Sequence, residues 1–247
     1  MTKRAIILAA GQGSRLLPLT ADRPKCLIDF NGRTLLRWQI DNLLSAGIKD
    51  IHVVTGFNAS MIDEELRTLG EDGRNAISTI FNPFYNVADN LGSVWLARHA
   101  MDRDFLILNG DTLVSSTLVS KALAAPTAAI RVTIDKKPGY DSDDMRVELD
   151  GERLLDIGKR LPVERSHAES IGLLRFQDKG RAAFRRQVED MMSREEGLRS
   201  WYLRAIHYLA RDDDNPVLTT SIEGEEWGEV DFLRDVDAGR ELTANWS

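Results

Sequence analysis

An apolar run, Ala5-Ile6-Ile7-Leu8-Ala9-Ala10, feeds directly into Gly11-Gln12-Gly13-Ser14-Arg15, and further on Pro24 stiffens the chain just before Lys25. The two glycines let the backbone turn sharply and lie close to a ligand. Successive N–H groups in such a turn make a concave anion site. Arg15 adds a permanent charge on a planar fork that suits phosphate oxygens, and Lys25 adds a second cation that acts as a point charge. A glycine cradle with two separated cations is chemistry for a triphosphate and for the group that attacks it. Two further strand ends draw attention. Gly56 follows Val53-Val54-Thr55, and Asp111 follows Leu108-Asn109-Gly110. In open α/β sheets ligands bind beyond the carboxyl ends of the strands. A carboxylate at that place can reach into the crevice, or it can cap the next helix.

Two common phosphate motifs do not fit. A dinucleotide fingerprint needs a third glycine where Leu16 stands, and no Gly-Lys-Ser/Thr follows Gly11 as a Walker A loop requires. The full string Ala9-Ala10-Gly11-x-Gly13-Ser14-Arg15-Leu16, then Pro18-x-Thr20 and Pro24-Lys25, resembles the signature of the nucleotidyltransferase superfamily that makes nucleoside-diphosphate sugars and alcohols. The resemblance runs nearly the whole chain and implies nucleotide contacts at Ala9, Ala10, Gly11, Gly13, Arg15, Gly56, Asn90 and Gly110. It implies that Asp111 and Asp231, the latter in Trp227-Gly228-Glu229-Val230-Asp231, hold Mg²⁺, an ion that needs only one or two carboxylates beside phosphates and waters. Asp231 could instead cap a last helix, and Asn90 is equally a base reader or a helix cap. Lys159, in Ile157-Gly158-Lys159, resembles the late lysine that meets the incoming substrate's phosphate, so Arg15, Lys25 and Lys159 form the expected catalytic set.

Within the superfamily, Asp89-Asn90-Leu91, Asp144-Met145-Arg146-Val147 and Glu169-Ser170-Ile171-Gly172 are similar to phosphocholine cytidylyltransferases. Trp201, Tyr202 and Trp227 could wall a cationic head group, although large aromatics are more often core. Glu169 could supply its counter-charge. One departure points the other way: Trp201-Tyr202 is followed by Leu203-Arg204, where phosphocholine relatives tend to be acidic. Arg204 suits an anionic or zwitterionic acceptor. The expectation is therefore a Mg²⁺-dependent cytidylyltransferase that joins CTP to a small phosphorylated or phosphonylated alcohol or amine. A hexose-1-phosphate nucleotidylyltransferase using UTP, dTTP or GTP is the alternative within the class. A non-catalytic nucleotide-sugar sensor is the alternative outside it, disfavoured by the intact Arg15, Lys25, Asp111 and Asp231.

These residues must be positioned by an α/β sheet. Alternating apolar strands and amphipathic helices run from Ala5 to about Ala125: a strand at 5–10, a helix over 36–44 ending at Gly47, strands at 51–55, 77–81 and 105–108, and helices over 62–69 and 92–101. This order predicts a doubly wound, mostly parallel mixed sheet of Rossmann-like nucleotidyltransferase type. Later segments at 128–134, 146–149, 153–157, 170–176 and 217–221 are strand-like, with a hairpin at Asp150-Gly151, a long helix over 178–193 and a helix after Asp231. They predict a small β-rich insertion on the substrate side of one domain spanning 1–247, with nucleotide bound by 1–125 and acceptor by 126–247.

The chain has 247 residues, 43% of them hydrophobic, enough for a substantial core. A formal charge of −7 without a basic block excludes a nucleic-acid face. The one cysteine, Cys26, and four scattered histidines exclude a disulfide framework or a zinc cluster. No apolar run reaches membrane-spanning length, and 5–10 is too short for a signal sequence. The expected setting is the cytoplasm; a homodimer is left open.

Overall fold

The computed structural model describes residues 2–246. The apolar runs become nine strands of one sheet: β1 (Arg4–Leu8), β2 (Asp50–Thr55), β3 (Ile77–Phe81), β4 (Phe105–Asn109), β5 (Ile130–Asp135), β6 (Arg146–Asp150), β7 (Arg153–Ile157), β8 (Ala168–Phe176) and β9 (Val217–Ser221). Their spatial order is β3-β2-β1-β4-β8-β5-β9-β7-β6, with β8 also touching β6. The strands through Asn109 are mutually parallel, as the βα alternation predicts. Beyond it the sheet is mixed: β9 is parallel to β5. β8 is antiparallel to β4 and to β5, and the β6–β7 hairpin is antiparallel as well. The reversed β8 has a positional effect. Leu173 pairs with Leu108 and Phe176 with Phe105, so β8 begins where β4 finishes. Its first residues therefore stand at the carboxyl ends of the parallel strands.

Eight helices cover the sheet: α1 (Leu35–Ser45), α2 (Ala59–Arg67), α3 (Glu71–Asn75), α4 (Asn90–Leu96), α5 (Ser116–Ala124), α6 (Lys179–Met192), α7 (Leu203–Leu209) and α8 (Leu233–Thr243). Period-2 alternation sends Ile6, Phe105 and Ile107 to one face, against Val94 of α4, Phe184 of α6 and Ile206 of α7. Ala5, Ile7, Leu106 and Leu108 go to the other, against Leu36 and Ile40 of α1 and Leu118 of α5. Phe105 stacks on Phe176 at 4.7 Å, and Phe184 lies 4.2 Å from Phe176. Burying each such ring fully contributes about 1.5–3 kcal/mol. The expected helix over 92–101 is α4 followed by a 3₁₀ turn through Met101. Helices α5 and α7 were not expected, because short amphipathic segments give little periodicity to read. Asp212-Asp213-Asp214 is an exposed turn, with Asp212 accepting from the Asp214 N–H. Cys26 is buried, which pushes its thiol up to about 12. No helix among the described residues is long and apolar enough to cross a membrane.

The crossing of β1 and β4 is tight at the cleft. A Cβ on Gly110 would lie 2.3 Å from the Leu8 carbonyl oxygen and 2.9 Å from the Ala9 Cα. Both obstacles are backbone and cannot swing away. Gly110→Ala should therefore lower unfolding stability by about 1–3 kcal/mol. An unchanged urea midpoint would contradict this packing.

Candidate active site

The short strand Thr112–Val114 pairs antiparallel with Trp227–Glu229, setting Thr112 opposite Glu229, and the Val230 N–H donates to the Asp111 carbonyl at 2.9 Å. This ribbon sets Asp111 beside Asp231. Neither caps a helix: Asp111 leads into a strand, and α8 starts only at Leu233 after Phe232. The Asp235 carboxylate accepts the Asp231 and Phe232 N–H groups at 2.9 and 2.7 Å, which fixes the backbone that carries the Asp231 side chain.

Lys25 lies between the two carboxylates. Its Nζ is 2.5 Å from Asp231 Oδ1 and 3.1 Å from Asp111 Oδ2. Gly13 makes room for it: with φ of +80° this residue sits in left-handed backbone, and a Cβ there would meet Lys25 Cβ at 2.8 Å. Arg15 reaches the same Asp231, Nη2 to Oδ2 at 2.6 Å, and contacts Asp143 at 3.2 Å. Lys159 Nζ is 3.5 Å from Asp143 on its other oxygen. Lys159 is held in place from its backbone, since the Arg146 guanidinium donates to its carbonyl. The half-exposed Arg15–Asp143 pair adds at most about 1 kcal/mol to folding. An apolar cluster anchors the three segments. Leu16 next to Arg15, Leu113 near Asp111 and Val230 next to Asp231 pack together with Phe30, Trp38 and Val236.

Burial works against the charged ammonium of Lys25, but Asp111 and Asp231 outweigh it and hold its pKa above the ordinary value. Enclosure opposes the Asp231 carboxylate too, yet Lys25 and then Arg15 hold its pKa below the ordinary value. Glu229, unassigned from sequence, is the third carboxylate here. It keeps surface in the cleft, but desolvation in the recess, with Asp111 and Asp231 alongside, pushes it up to about 8. Only the ribbon register, invisible in sequence, reveals it.

Two hollows meet at this point. One, about 220 Å³, is lined by Ala10, Gly11, Tyr85, Ser93 and Gly110. The other, about 180 Å³, is lined by Arg15, Lys159, Glu169, Trp201, Glu229 and Asp231. Asn90, Asn109 and Asp111 belong to both. Asn90 opens α4 without capping it; its Oδ1 accepts the Tyr202 N–H at 2.9 Å, and among the described residues its NH₂ has no protein acceptor. Asn109, also missed from sequence, accepts the Tyr202 hydroxyl on Oδ1 at 3.0 Å.

Several expected residues stand behind the walls. Tyr202 is fully buried in the core, so it supports Asn90 and Asn109 and cannot face an acceptor. Trp227 packs against the core under α1 and α5, and its indole N–H donates to Asp135 at 2.8 Å. Ala9 is buried, and Gly56 is packed under Ala10 and Tyr85. Gly13 acts on Lys25 and lines neither hollow. Arg204 lines a separate hollow beyond Trp201, and its Nε donates to the Tyr208 hydroxyl at 3.2 Å.

Residues 4–142 match the family model described as nucleotidyl transferase. The CTP:phosphoglutamine cytidylyltransferase of Campylobacter jejuni is 25% identical to this chain, over 94% of this chain and 97% of that protein. The solved structure of CTP:phosphocholine cytidylyltransferase from Streptococcus pneumoniae has a TM-score of 0.79 at 20% identity, covering 98% of this chain and 99% of that one. The inositol-1-phosphate CTP transferase from T. maritima has a TM-score of 0.80 at 18% identity, covering 100% and 98%.

The cause assigned to the Asp231 shift can be tested directly. A carboxyl group with a lowered folded pKa contributes stability that is present above its unfolded value and lost as pH falls through the folded one. Lys25→Met should therefore move the Asp231 titration upward, followed by carboxyl ¹³C NMR, and shrink that acid-side contribution. An unmoved midpoint would mean that Lys25 is not the cause.

Proposed function

The chain belongs to the nucleotidyl transferase family and is an enzyme of that class, and from this premise we propose that it transfers CMP from CTP to a small phosphorylated or phosphonylated acceptor. The observation that carries the reading is the meeting of two hollows at Asp111, with Arg15 and Asp231 in the wall of the second and Lys25, which lines neither, bridging Asp111 to Asp231. One hollow suits a nucleotide bound by residues of the first half of the chain. Its polar edge offers the Asn90 amide to a base or ribose, and the Ser93 hydroxyl, which Asn82 holds by donating to it at 3.0 Å. The other suits an acceptor. The relatives named for CTP support cytidine.

In this reading an acceptor oxygen attacks the α-phosphorus of CTP in line. The bond from that phosphorus to the bridging oxygen of the β-phosphate breaks, and pyrophosphate leaves. Arg15 holds the β- and γ-phosphates. Lys25 neutralises the α-phosphate and the attacking oxygen, and Lys159 orients the acceptor phosphate. Positioning and charge neutralisation supply the rate, with no covalent enzyme intermediate. Asp111 and Asp231 would hold Mg²⁺. Two hard oxygen donors from adjacent segments, with Glu229 alongside, fit an ion that completes its shell with phosphates and water. When bound, the ion supplies further neutralisation of the phosphate charge.

Pyrophosphate release with each triphosphate and a panel of phospho-acceptors tests the reading. CTP should exceed UTP, dTTP and GTP by about tenfold or more in kcat/KM, equivalent to about 1.4 kcal/mol. A preference for another triphosphate with a hexose 1-phosphate would replace the reading by a sugar nucleotidylyltransferase. Asp111→Asn and Asp231→Asn should each lower kcat by roughly 100-fold or more with native secondary structure retained by circular dichroism; near-normal turnover of folded Asp111→Asn in Mg²⁺ would remove Asp111 from the site. Lys25→Ala should lower kcat far more than it raises KM for CTP. A change confined to KM would limit Lys25 to ground-state binding.

A further inference from the structure

A third hollow, about 530 Å³, adjoins the acceptor hollow and shares Met145, Lys159, Trp201 and Leu203 with it. Its charged lining is of one sign: Lys159, Arg160, Arg199 and Arg204, with His207 beside them and no carboxylate. That is unexpected in a chain of net charge −7. Among the described residues, Arg160, Arg199 and Arg204 form no ion pair, whereas most arginines of this protein do. Two acidic groups touch the lining from outside it: Asp156 is engaged by the His207 ring at 2.6 Å, and Asp143 lies 3.5 Å from Lys159 Nζ. These are three exposed guanidinium groups without a carboxylate partner, Arg204 also donating Nε to the Tyr208 hydroxyl, and the fork of arginine pairs with carboxylate or phosphate oxygens.

The opposite side of the acceptor hollow argues the same way. Glu169 is one of the carboxylates lining that hollow, and the one the sequence offers as counter-charge to a substrate ammonium. Its oxygen lies 2.9 Å from the Lys137 ammonium, which also meets Asp144 at 2.8 Å. The chain thus fills that position with its own cation. We infer that the acceptor carries, at the end remote from its phosphate or phosphonate, a carboxylate that Arg160, Arg199 and Arg204 receive, with Lys159 and Trp201 between the two ends. Lys159 Nζ lies 5.2 Å above the Trp201 ring, so this pair marks the passage between the two hollows. The inference rests on the cytidylyltransferase reading and narrows its acceptor.

O-Phosphoserine and phosphoethanolamine differ by one carboxylate and form the matched pair for the test. With CTP and Mg²⁺, pyrophosphate release should give a kcat/KM for O-phosphoserine about tenfold or more above that for phosphoethanolamine or phosphocholine, the ratio expected of one charge-assisted pair. Arg204→Ala and Arg199→Ala should collapse that ratio toward one through KM for O-phosphoserine, without raising KM for CTP. Arg204→Lys should restore part of it. Equal or better turnover of phosphoethanolamine or phosphocholine overturns the inference while the cytidylyltransferase reading stands. A preference for propane-1,3-diol bisphosphate over O-phosphoserine replaces the carboxylate by a second phosphate. Absence of pyrophosphate release with every triphosphate removes the premise and the inference together.

Discussion

The ammonium of Lys25, caught between Asp111 and Asp231, is the contact on which the arrangement of the site depends. Two carboxylates side by side in a recess repel each other, and desolvation penalises both. A single cation at 2.5 and 3.1 Å turns that repulsion into attraction. Three segments far apart in sequence are tied at one point, and the apolar cluster of Leu16, Leu113 and Val230 holds them from behind. The cluster gives rigidity and the ion pairs give position. Neither alone would keep charged side chains aimed into a solvent-filled cleft.

Much of this was legible in the sequence because it is local. The Gly11–Arg15 turn, the parallel strands and the hairpin at Asp150-Gly151 each follow from neighbours in the chain, through glycine conformation and period-2 apolar patterning. What was not legible is the long-range register. The ribbon joining 112–114 to 227–229 consists of three-residue strands, too short to show a period. The resemblance pairs Asp231 with Asp111, but only this ribbon shows how the chain brings them together and that Glu229 joins them. Tyr202 and Trp227 were misplaced for a related reason. An aromatic beside charged residues reads equally as wall or as core, and only packing decides. Tyr202 went to the core with its hydroxyl paired to Asn109, which turned an expected substrate contact into a support for two asparagines.

The reversed strand β8 explains how a parallel fold acquires a second binding surface. Parallel strands deliver only their carboxyl ends to the cleft. An antiparallel strand in the middle of the sheet delivers its beginning, and so Glu169 and Ser170 line the second hollow beside residues from the end of β4. The two hollows are thus built by two directions of chain.

The distance in sequence between Lys25 and Asp231 also bears on how the molecule comes into being. Closing a loop of that length costs entropy that only other contacts can offset, and non-local pairings of this kind form late. During synthesis the glycine turn and the first parallel strands are available to pack long before Asp231 has left the ribosome. A growing chain can therefore hold its glycine turn and first parallel strands in place while neither the support of Asn90 by Tyr202 nor the Lys25–Asp231 pair yet exists. The ribbon is the clasp that converts a folded scaffold into an assembled centre, so activity reports on the completeness of the fold.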